Sequence, residues 1–436
     1  MYRWSYIKSK VISILNGNLV NKSLKVLLIR CLGVIFFFSL SLYLTNYYPP
    51  QIVGKYDFVR SLLMVLGGLC LLGTNQSIIY YSGLLKAKKS LGSLSKIYLK
   101  MIVIIVTISV FLLLIVSLLD NSFLNTFFDK PEASKLIYKV VLALSFYGFT
   151  LLNIDMLRAL NKTMLSELFR NIFRHLPFFI FIIFFKNLYT FLIEAYLFSF
   201  AIIALISFVI VFKTLSIQNE PILIKNLGFN KIIKQSYPMA ISALSYFLMQ
   251  SIDVLLLSKF ESFKTVAFYS VAVKLSTVTA LALLSVNIIV APKIAEIYNS
   301  SDKKELRKLV KNSARLILAI SLPALSILAI FSSFALGLFG ENYKIAQNAL
   351  LILLFGQLFN SLCGPVAIYM NMTGKQNKLQ RILIFGLVLN LVLNLIFIPK
   401  YGMLGAATST ALSMIIWNLI ATIYTYKKDK IKTFIS

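Results

Sequence analysis

The 436-residue chain is 59% hydrophobic and only 14% charged, with a mean hydropathy of +0.84, which excludes a soluble domain of this size. Its net charge of +29 would suit nucleic-acid binding, but the basic residues concentrate in the connections between apolar runs. A single histidine and three scattered cysteines argue against a metalloenzyme, a histidine-dependent hydrolase and a disulfide framework. The composition therefore predicts a polytopic membrane protein.

The first residues, 1–22, place Trp4, Ile7, Val11 and Ile14 at helical spacing among basic residues, which suits either a helix on the membrane surface or a disordered basic tail. Apolar runs of about 20 residues then recur, each long enough to span a bilayer. We expect twelve spans, at 26–46, 57–81, 101–119, 137–157, 168–185, 189–212, 236–258, 266–290, 314–335, 347–370, 382–398 and 404–425.

The connections between these spans alternate in charge. One set, which includes both termini, carries 32 lysines and arginines, whereas the other set carries 8. Because basic loops stay on the cytoplasmic side, this alternation predicts cytoplasmic N and C termini. The excess positive charge is then explained by topology and by contact with anionic lipid.

The two halves of the chain resemble each other. Val53 to Arg60 follows the first span, Val266 to Lys274 follows the seventh, and alignment of Tyr56 with Tyr269 brings Arg60 within one residue of Lys274. Such a parallel repeat predicts substrate binding between two halves. The expected domains are a cytoplasmic or interfacial arm, an N-lobe of six helices, an inter-lobe loop, a C-lobe of six helices and a basic cytoplasmic tail, at 1–22, 23–212, 213–235, 236–426 and 427–436.

Several basic residues fall inside or at the inner ends of spans, where ionisable groups are costly and commonly functional. Arg30, Arg60 and Lys274, joined by Arg170 and Arg174 on one face of the short fifth span, would line a cationic cavity suited to a diphosphate. The structural alternative is that the arginines reach lipid phosphates at the membrane surface and that Lys274 forms an ion pair with Asp253.

Asp253, inside the seventh span, has a second possible role. Asn390 and Asn394 are four residues apart on one helix face, and Thr410 lies in the last span. A carboxylate, amide oxygens and a hydroxyl could hold Na⁺ or relay H⁺ to power transport. Polar side chains at contacts between membrane helices are also ordinary packing groups, and this interpretation stays open for the asparagines.

Motifs along the chain resemble polysaccharide flippases of the Wzx type, in the multidrug/oligosaccharidyl-lipid/polysaccharide exporter (MOP) superfamily. They are the tyrosine motifs after spans one and seven, Pro238 with Asp253, Ala291 to Tyr298, Gly356 to Asn360, Gly364-Pro365, Thr373-Gly374, Pro399 to Gly402 and Gly405-Ala-Ala. The resemblance implies an all-α membrane protein of about twelve helices, in two six-helix lobes that form a V and open alternately to either side.

The resemblance also implies a substrate, undecaprenyl-diphosphate-linked oligosaccharide, that crosses the bacterial inner membrane without bond-making chemistry. In related flippases, cations of helices 1, 2 and 8 line the cavity, and Arg30, Arg60 and Lys274 lie in those helices here. A family cation site matches Asp253, Asn390, Asn394 and Thr410 in helix and order, although Asn394 stands where an acid is expected. A glycan polymerase and a chain-length regulator would be partners.

Two other functions stay open. A cation-coupled multidrug exporter of the same superfamily is the first, although the predicted cavity holds more bases than acids. A membrane glycan polymerase is the second. Such enzymes present sizeable outer loops with catalytic basic residues, whereas the longest predicted outer connection here is 120–135.

Overall fold

The computed structural model describes residues 18–87, 90, 92–185, 187–216, 228–299 and 302–434, and this part of the chain consists of helices joined by short connections. The first half contains α1 Asn18–Tyr47, α2 Pro50–Leu71, α3 Thr74–Ala87, α4 Ser93–Leu118, α5 Asn121–Phe128, α6 Ala133–Ala159, α7 Thr163–Asn171, α8 Leu176–Phe184 and α9 Leu192–Ser216. The second half contains α10 Phe229–Phe260, α11 Phe263–Thr279, α12 Leu281–Asn299, α13 Lys303–Ile330, α14 Ser332–Gly337, α15 Gln347–Leu362, α16 Val366–Met372 and α17 Gln376–Asp429. Short 3₁₀ turns cover Phe173–His175, Tyr189–Phe191 and Glu341–Ala346.

These helices overlap the predicted spans, although several predicted spans are divided between two helices. Within the described residues, eight helices are long and apolar enough to cross a membrane, or up to nine when the bent pair α2 and α3 counts as one span. The chain is therefore a multi-pass helical membrane protein, whereas twelve crossings and cytoplasmic termini stay predictions. The predicted surface arm falls mostly outside the described residues, since α1 begins at Asn18.

Glycines mark two of the breaks between spans. Within α17, spans eleven and twelve are two helices that meet at a kink at Gly402, with φ 53° and ψ −130°, inside the connection 399–403 that the sequence predicts. The positive φ at this position favours glycine. A Cβ there would in addition lie only 2.6 Å from Glu261 Oε1. The bend of 43° between α2 and α3 falls at Leu72 and Gly73, which both have positive φ.

The fifth predicted span is broken as well. Helix α7 ends at Asn171, the φ of −124° and ψ of −63° of the next residue, Ile172, lie outside the helical region, and a 3₁₀ turn leads into α8. With nine residues, α8 is about 14 Å long, less than half the hydrocarbon thickness. The sequence predicts that this span draws the basic residues before Leu176 into the membrane, which stays a prediction, and the structure builds the stretch from two short helices in place of one.

Packing divides the chain into two compact units that interleave along the sequence. The first comprises 1–44, 66–119 and 137–243, and the second comprises 45–65, 120–136 and 244–436. The lobe boundaries drawn from the sequence follow chain order and stay a prediction.

Polar contacts and close helix approaches hold the first unit together. Asn153 accepts a 2.5 Å hydrogen bond from Tyr98 and donates to Ser207 at 2.9 Å. Gly73 lies so near α10 that a Cβ would sit 2.4 Å from the Ser236 carbonyl oxygen. Buried polar pairs of this kind fix the rotation of each helix, because hydrocarbon offers them no other partner.

The second unit brings the start of α2 against the start of α11. A Cβ on Gly54 would lie 1.7 Å from the Phe263 carbonyl oxygen, so only glycine permits this approach. Phe58, fully buried, packs its ring against Phe128 and Phe263 with centroids 5.3 and 5.6 Å apart. This contact positions the two helices that carry the cations described next.

Candidate functional site

Asp57 is the centre of a buried ionic cluster in the second unit. The Lys274 ammonium lies 3.0 Å from Asp57 Oδ1 and donates to Oδ2 at 3.1 Å, and Arg60 Nε lies 3.3 Å from Oδ1. The side chains of Asp57, Lys274 and Arg60 are 0%, 6% and 23% exposed. With two cations on one carboxylate, the cluster carries a formal charge of +1, and Arg60 is its most accessible member.

The local sequence explains this cluster. Asp57 and Arg60 are three residues apart in α2 and therefore share one helix face. Lys274 comes from α11, and its long side chain points back toward the start of that helix, where Gly54 lets α2 approach. Arg60 and Lys274, which the repeat aligns within one residue, thus contact the same carboxylate.

Sequence reasoning missed Asp57. It weighed an ion pair of Lys274 with Asp253, whereas the carboxylate that Lys274 contacts is Asp57. A signal was available, because Asp57 lies three residues before Arg60 inside the apolar second span. An acid and a base at this spacing form an i,i+3 pair, which should have been included among the intramembrane charges.

Asp253 has its own set of partners. Its Oδ2 accepts hydrogen bonds from the Tyr269 hydroxyl at 2.6 Å and from Thr410 at 3.4 Å, and its Oδ1 accepts from the Val254 N–H at 2.9 Å. Tyr269 is fully buried. The residue that aligns with Tyr56 in the repeat therefore orients the Asp253 carboxylate, a role the sequence did not reveal.

The two asparagines continue this network. Asn390 Nδ2 donates to Ser413 at 3.2 Å and lies 3.5 Å from Thr410 Oγ1, and Asn394 Nδ2 donates to Asn390 Oδ1 at 3.0 Å. All four predicted ion-coupling residues thus belong to one connected cluster in the second unit, with Tyr269 and Ser413 added by the structure.

The oxygen atoms of the Asp253 cluster are suitable ligands for a hard monovalent cation. The cluster offers one carboxylate, amide oxygens and hydroxyls, the ligand types that such cations prefer. Asn394 Oδ1 is buried and has no hydrogen-bond partner within the described part of the chain, which leaves an oxygen available to a ligand. The single carboxylate balances one positive charge.

The remaining predicted cations lie in the first unit, where two of them are paired with carboxylates. Arg30 forms a two-pronged contact with Glu167, with Nη2 2.8 Å from Oε1 and Nε 2.9 Å from Oε2. Arg170 forms an ion pair with Asp155, which also accepts from Asn75 at 3.0 Å. The expectation of a cavity with excess bases therefore needs correction for Arg30 and Arg170, since carboxylates that the sequence analysis did not consider offset their charge.

Arg174 differs from these two. Its Nε donates to Nε2 of the buried His175 at 3.0 Å. The five predicted cations thus fall into two groups, with Arg30, Arg170 and Arg174 in the first unit and Arg60 and Lys274 in the second.

Comparison with known families adds to this geometry. The family described as "Polysaccharide biosynthesis protein" matches residues 19–298, and the family MatE matches residues 238–396. The lipid II flippase MurJ in its inward closed conformation superposes with a TM-score of 0.73 and 16% identity, covering 93% of this chain and 88% of MurJ. At this identity the superposition establishes the fold alone.

Two curated relatives match shorter segments. A "Probable low-salt glycan biosynthesis flippase" of Haloferax volcanii is 25% identical over 174 residues, which is 40% of this chain and 37% of the relative. The capsular polysaccharide biosynthesis protein CapF of Staphylococcus aureus is 29% identical over 205 residues, which is 46% of this chain and 50% of the relative. The matches thus span half or less of these relatives.

Proposed function

This chain belongs to the polysaccharide biosynthesis protein family, and we propose that it is a flippase for undecaprenyl-diphosphate-linked oligosaccharide repeat units of O-antigen, capsule or exopolysaccharide. It moves them from the cytoplasmic to the outer leaflet of a bacterial inner membrane by alternating access, with no covalent step. The flippase of Haloferax volcanii and the capsule protein of Staphylococcus aureus among its relatives support this substrate class.

The observation that carries the proposal is the net positive cluster of Lys274, Arg60 and Asp57. The electrostatic attraction between an anion and such a cluster is stronger in apolar surroundings than in water, because the surroundings screen the charges less. Asp57 holds the Lys274 ammonium and the Arg60 guanidinium in place before the substrate arrives. The diphosphate then binds to the guanidinium fork of Arg60 and to the ammonium of Lys274, which keep a formal charge of +1 beyond Asp57.

Arg30, Arg170 and Arg174 form the second part of this proposal. Arg30 and Arg170 are already paired with Glu167 and Asp155. Each arginine can therefore contact the substrate only while it also contacts its carboxylate. Arg30 keeps 41% of its side chain exposed, which leaves room for a phosphate oxygen beside Glu167. We assign these residues to initial attraction of the anionic head group on the cytoplasmic side.

The cluster around Asp253 supplies coupling to a cation gradient. Asp253, Thr410, Asn390 and Asn394 would hold Na⁺, which compensates the buried carboxylate, or Asp253 would carry H⁺. The same proposal includes twelve membrane spans in two lobes that form a V, with both termini in the cytoplasm, and a glycan polymerase and a chain-length regulator as partners.

Translocation in proteoliposomes tests the function directly. Purified protein is reconstituted with undecaprenyl-diphosphate oligosaccharide, and a glycan-cleaving enzyme added outside reports exposure. We expect protein-dependent exposure that the Lys274→Ala variant loses. Equal exposure in protein-free liposomes, or no exposure with any candidate glycolipid, would overturn the proposal.

The MatE match over residues 238–396 favours one second candidate, a cation-coupled multidrug exporter. Efflux of a dye-like organic cation from the same proteoliposomes tests it. Dye efflux without glycolipid exposure would replace the flippase assignment, and a positively charged binding cluster would then require another explanation.

A further inference from the structure

A long apolar groove runs along the first unit, on a surface that neither cluster described above uses. Its volume is about 1220 Å³, more than most small-molecule sites. It lies between α6, α7, α8 and α9, and seven phenylalanines line it: Phe146, Phe169, Phe173, Phe181, Phe185, Phe191 and Phe198. Helix α8 is too short to fill the space beside α9, which explains why the groove exists.

The length of the groove limits which kind of ligand can fill it. Its lining on α9 extends from Glu194 to Ile210, about 24 Å along the helix. One leaflet supplies about 15 Å of hydrocarbon, so an acyl chain of a phospholipid covers little more than half of this distance. A polyisoprenoid of eleven units is long enough to follow the whole groove.

The two ends of the groove differ in charge. At the predicted outer end, Lys139 and Glu194 neutralise each other at 2.5 Å. At the predicted inner end, Phe169 and Phe173 line the groove, and the residues that directly follow them in sequence are Arg170, which pairs with Asp155, and the basic Arg174. A ligand with an apolar chain and an anionic head therefore fits in one direction, with its head toward the cytoplasm.

We propose that this groove binds the polyprenyl chain of the diphosphate-linked substrate, with the head group at the inner end beside Arg170 and Arg174. The proposal rests on the proposed function for the identity of the substrate. Since lipid tails are as apolar as the groove, burial from water contributes little. Selectivity comes from packing of the methyl-branched chain against aromatic rings, and we expect a preference of about threefold to tenfold.

Photolabelling tests binding without requiring transport. Full-length protein in nanodiscs is exposed to undecaprenyl phosphate that carries a diazirine on its chain, and labelled peptides are mapped. We expect labels within 142–146, 176–185 and 194–210. Unlabelled undecaprenyl phosphate should displace them at no more than about a third of the concentration required of phosphatidylglycerol, and the much shorter farnesyl phosphate should compete weakly.

Two groove-filling variants and a matched control complete the test. Ala201→Trp and Ile180→Trp place an indole in the groove from α9 and α8, whereas Leu205→Trp places it on an exposed surface of α9 outside the lining. Labelling should fall about threefold or more in whichever groove variant elutes as a monodisperse protein and stay unchanged in the control.

Equal displacement by phosphatidylglycerol, or equal loss of labelling in Leu205→Trp, would identify ordinary surface lipid and overturn the proposal. If liposome transport fails while selective labelling persists, the flippase assignment fails and the lipid site stands.

Discussion

The ammonium of Lys274 lies 3.0 Å from the carboxylate of Asp57, a residue 217 positions earlier in the chain, and both side chains are buried. A buried charge that loses its partner is strongly destabilising, whereas a neutral pair of similar size is tolerated. This difference allows the structural and functional roles of Lys274 to be separated.

Replacement of Lys274 should abolish transport. Lys274→Ala removes one of the two cations that contact Asp57 together with a proposed phosphate ligand, and loss of the buried pair should cost about 3–5 kcal/mol of unfolding free energy. Lys274→Arg keeps the charge and should retain part of the transport. The measurements are glycolipid exposure in proteoliposomes and thermal unfolding in detergent.

The double variant Asp57→Asn/Lys274→Met serves as the control. It removes both charges together and should recover most of the stability without recovering transport. Near wild-type transport by Lys274→Ala, or by the stable double variant, would contradict a diphosphate-binding role for this cluster.

Replacement of the Asp253 carboxylate should uncouple transport from the cation gradient. Asp253→Asn preserves size and the hydrogen bond from Tyr269 but removes the charge that balances a bound cation. Flipping measured with and without an imposed Na⁺ or H⁺ gradient should become equal. A response to the gradient that persists in Asp253→Asn would exclude this residue as the coupling acid.

A threonine pair provides the matched control for that experiment. Thr410 contacts Asp253, whereas Thr408, two residues away, bonds the carbonyl oxygen of Leu404 in its own helix. Thr410→Ala should raise the half-saturating cation concentration several-fold, and Thr408→Ala should leave it unchanged.

The pairing of Arg30 with Glu167 predicts compensation between the two. Arg30→Met should destabilise the protein because Glu167, whose side chain is 2% exposed, loses its cationic partner and keeps the weaker hydrogen bond from Asn171. The double variant with Glu167→Gln should recover part of that loss, with a coupling of about 1 kcal/mol for this partly exposed pair. Transport that returns together with stability would assign Arg30 a purely structural role; transport that stays lost supports substrate contact.

Gly54 should be intolerant of any side chain. Gly54→Ala sets a Cβ against the Phe263 carbonyl oxygen, so α2 and α11 must separate, at a cost of about 1–3 kcal/mol or more, and Asp57 moves with α2. Gly83→Ala is the control, since nothing lies within 4 Å of its Cβ and alanine favours helix by about 0.5–1 kcal/mol. Thermal unfolding should shift downward in the first variant only.

The sequence by itself determined that the chain forms membrane-spanning helices and which of its charges lie in apolar runs. Apolar runs near the bilayer thickness can fold only as helices, and this requirement acts locally along the chain. The same local reasoning singled out Lys274, Arg60 and Asp253 as polar groups inside apolar runs, and family motifs indicated the polysaccharide biosynthesis proteins.

Only the tertiary structure decided which charged side chains form ion pairs with each other. Asp57 instead of Asp253 pairs with Lys274, and Glu167 and Asp155 neutralise arginines that the sequence counted as free charge. Ion pairing depends on how helices distant in sequence rotate and approach, and hydropathy carries no information about that. The approach at Gly54 and the groove beside the short α8 arise in the same way, from packing between helices rather than from any one of them.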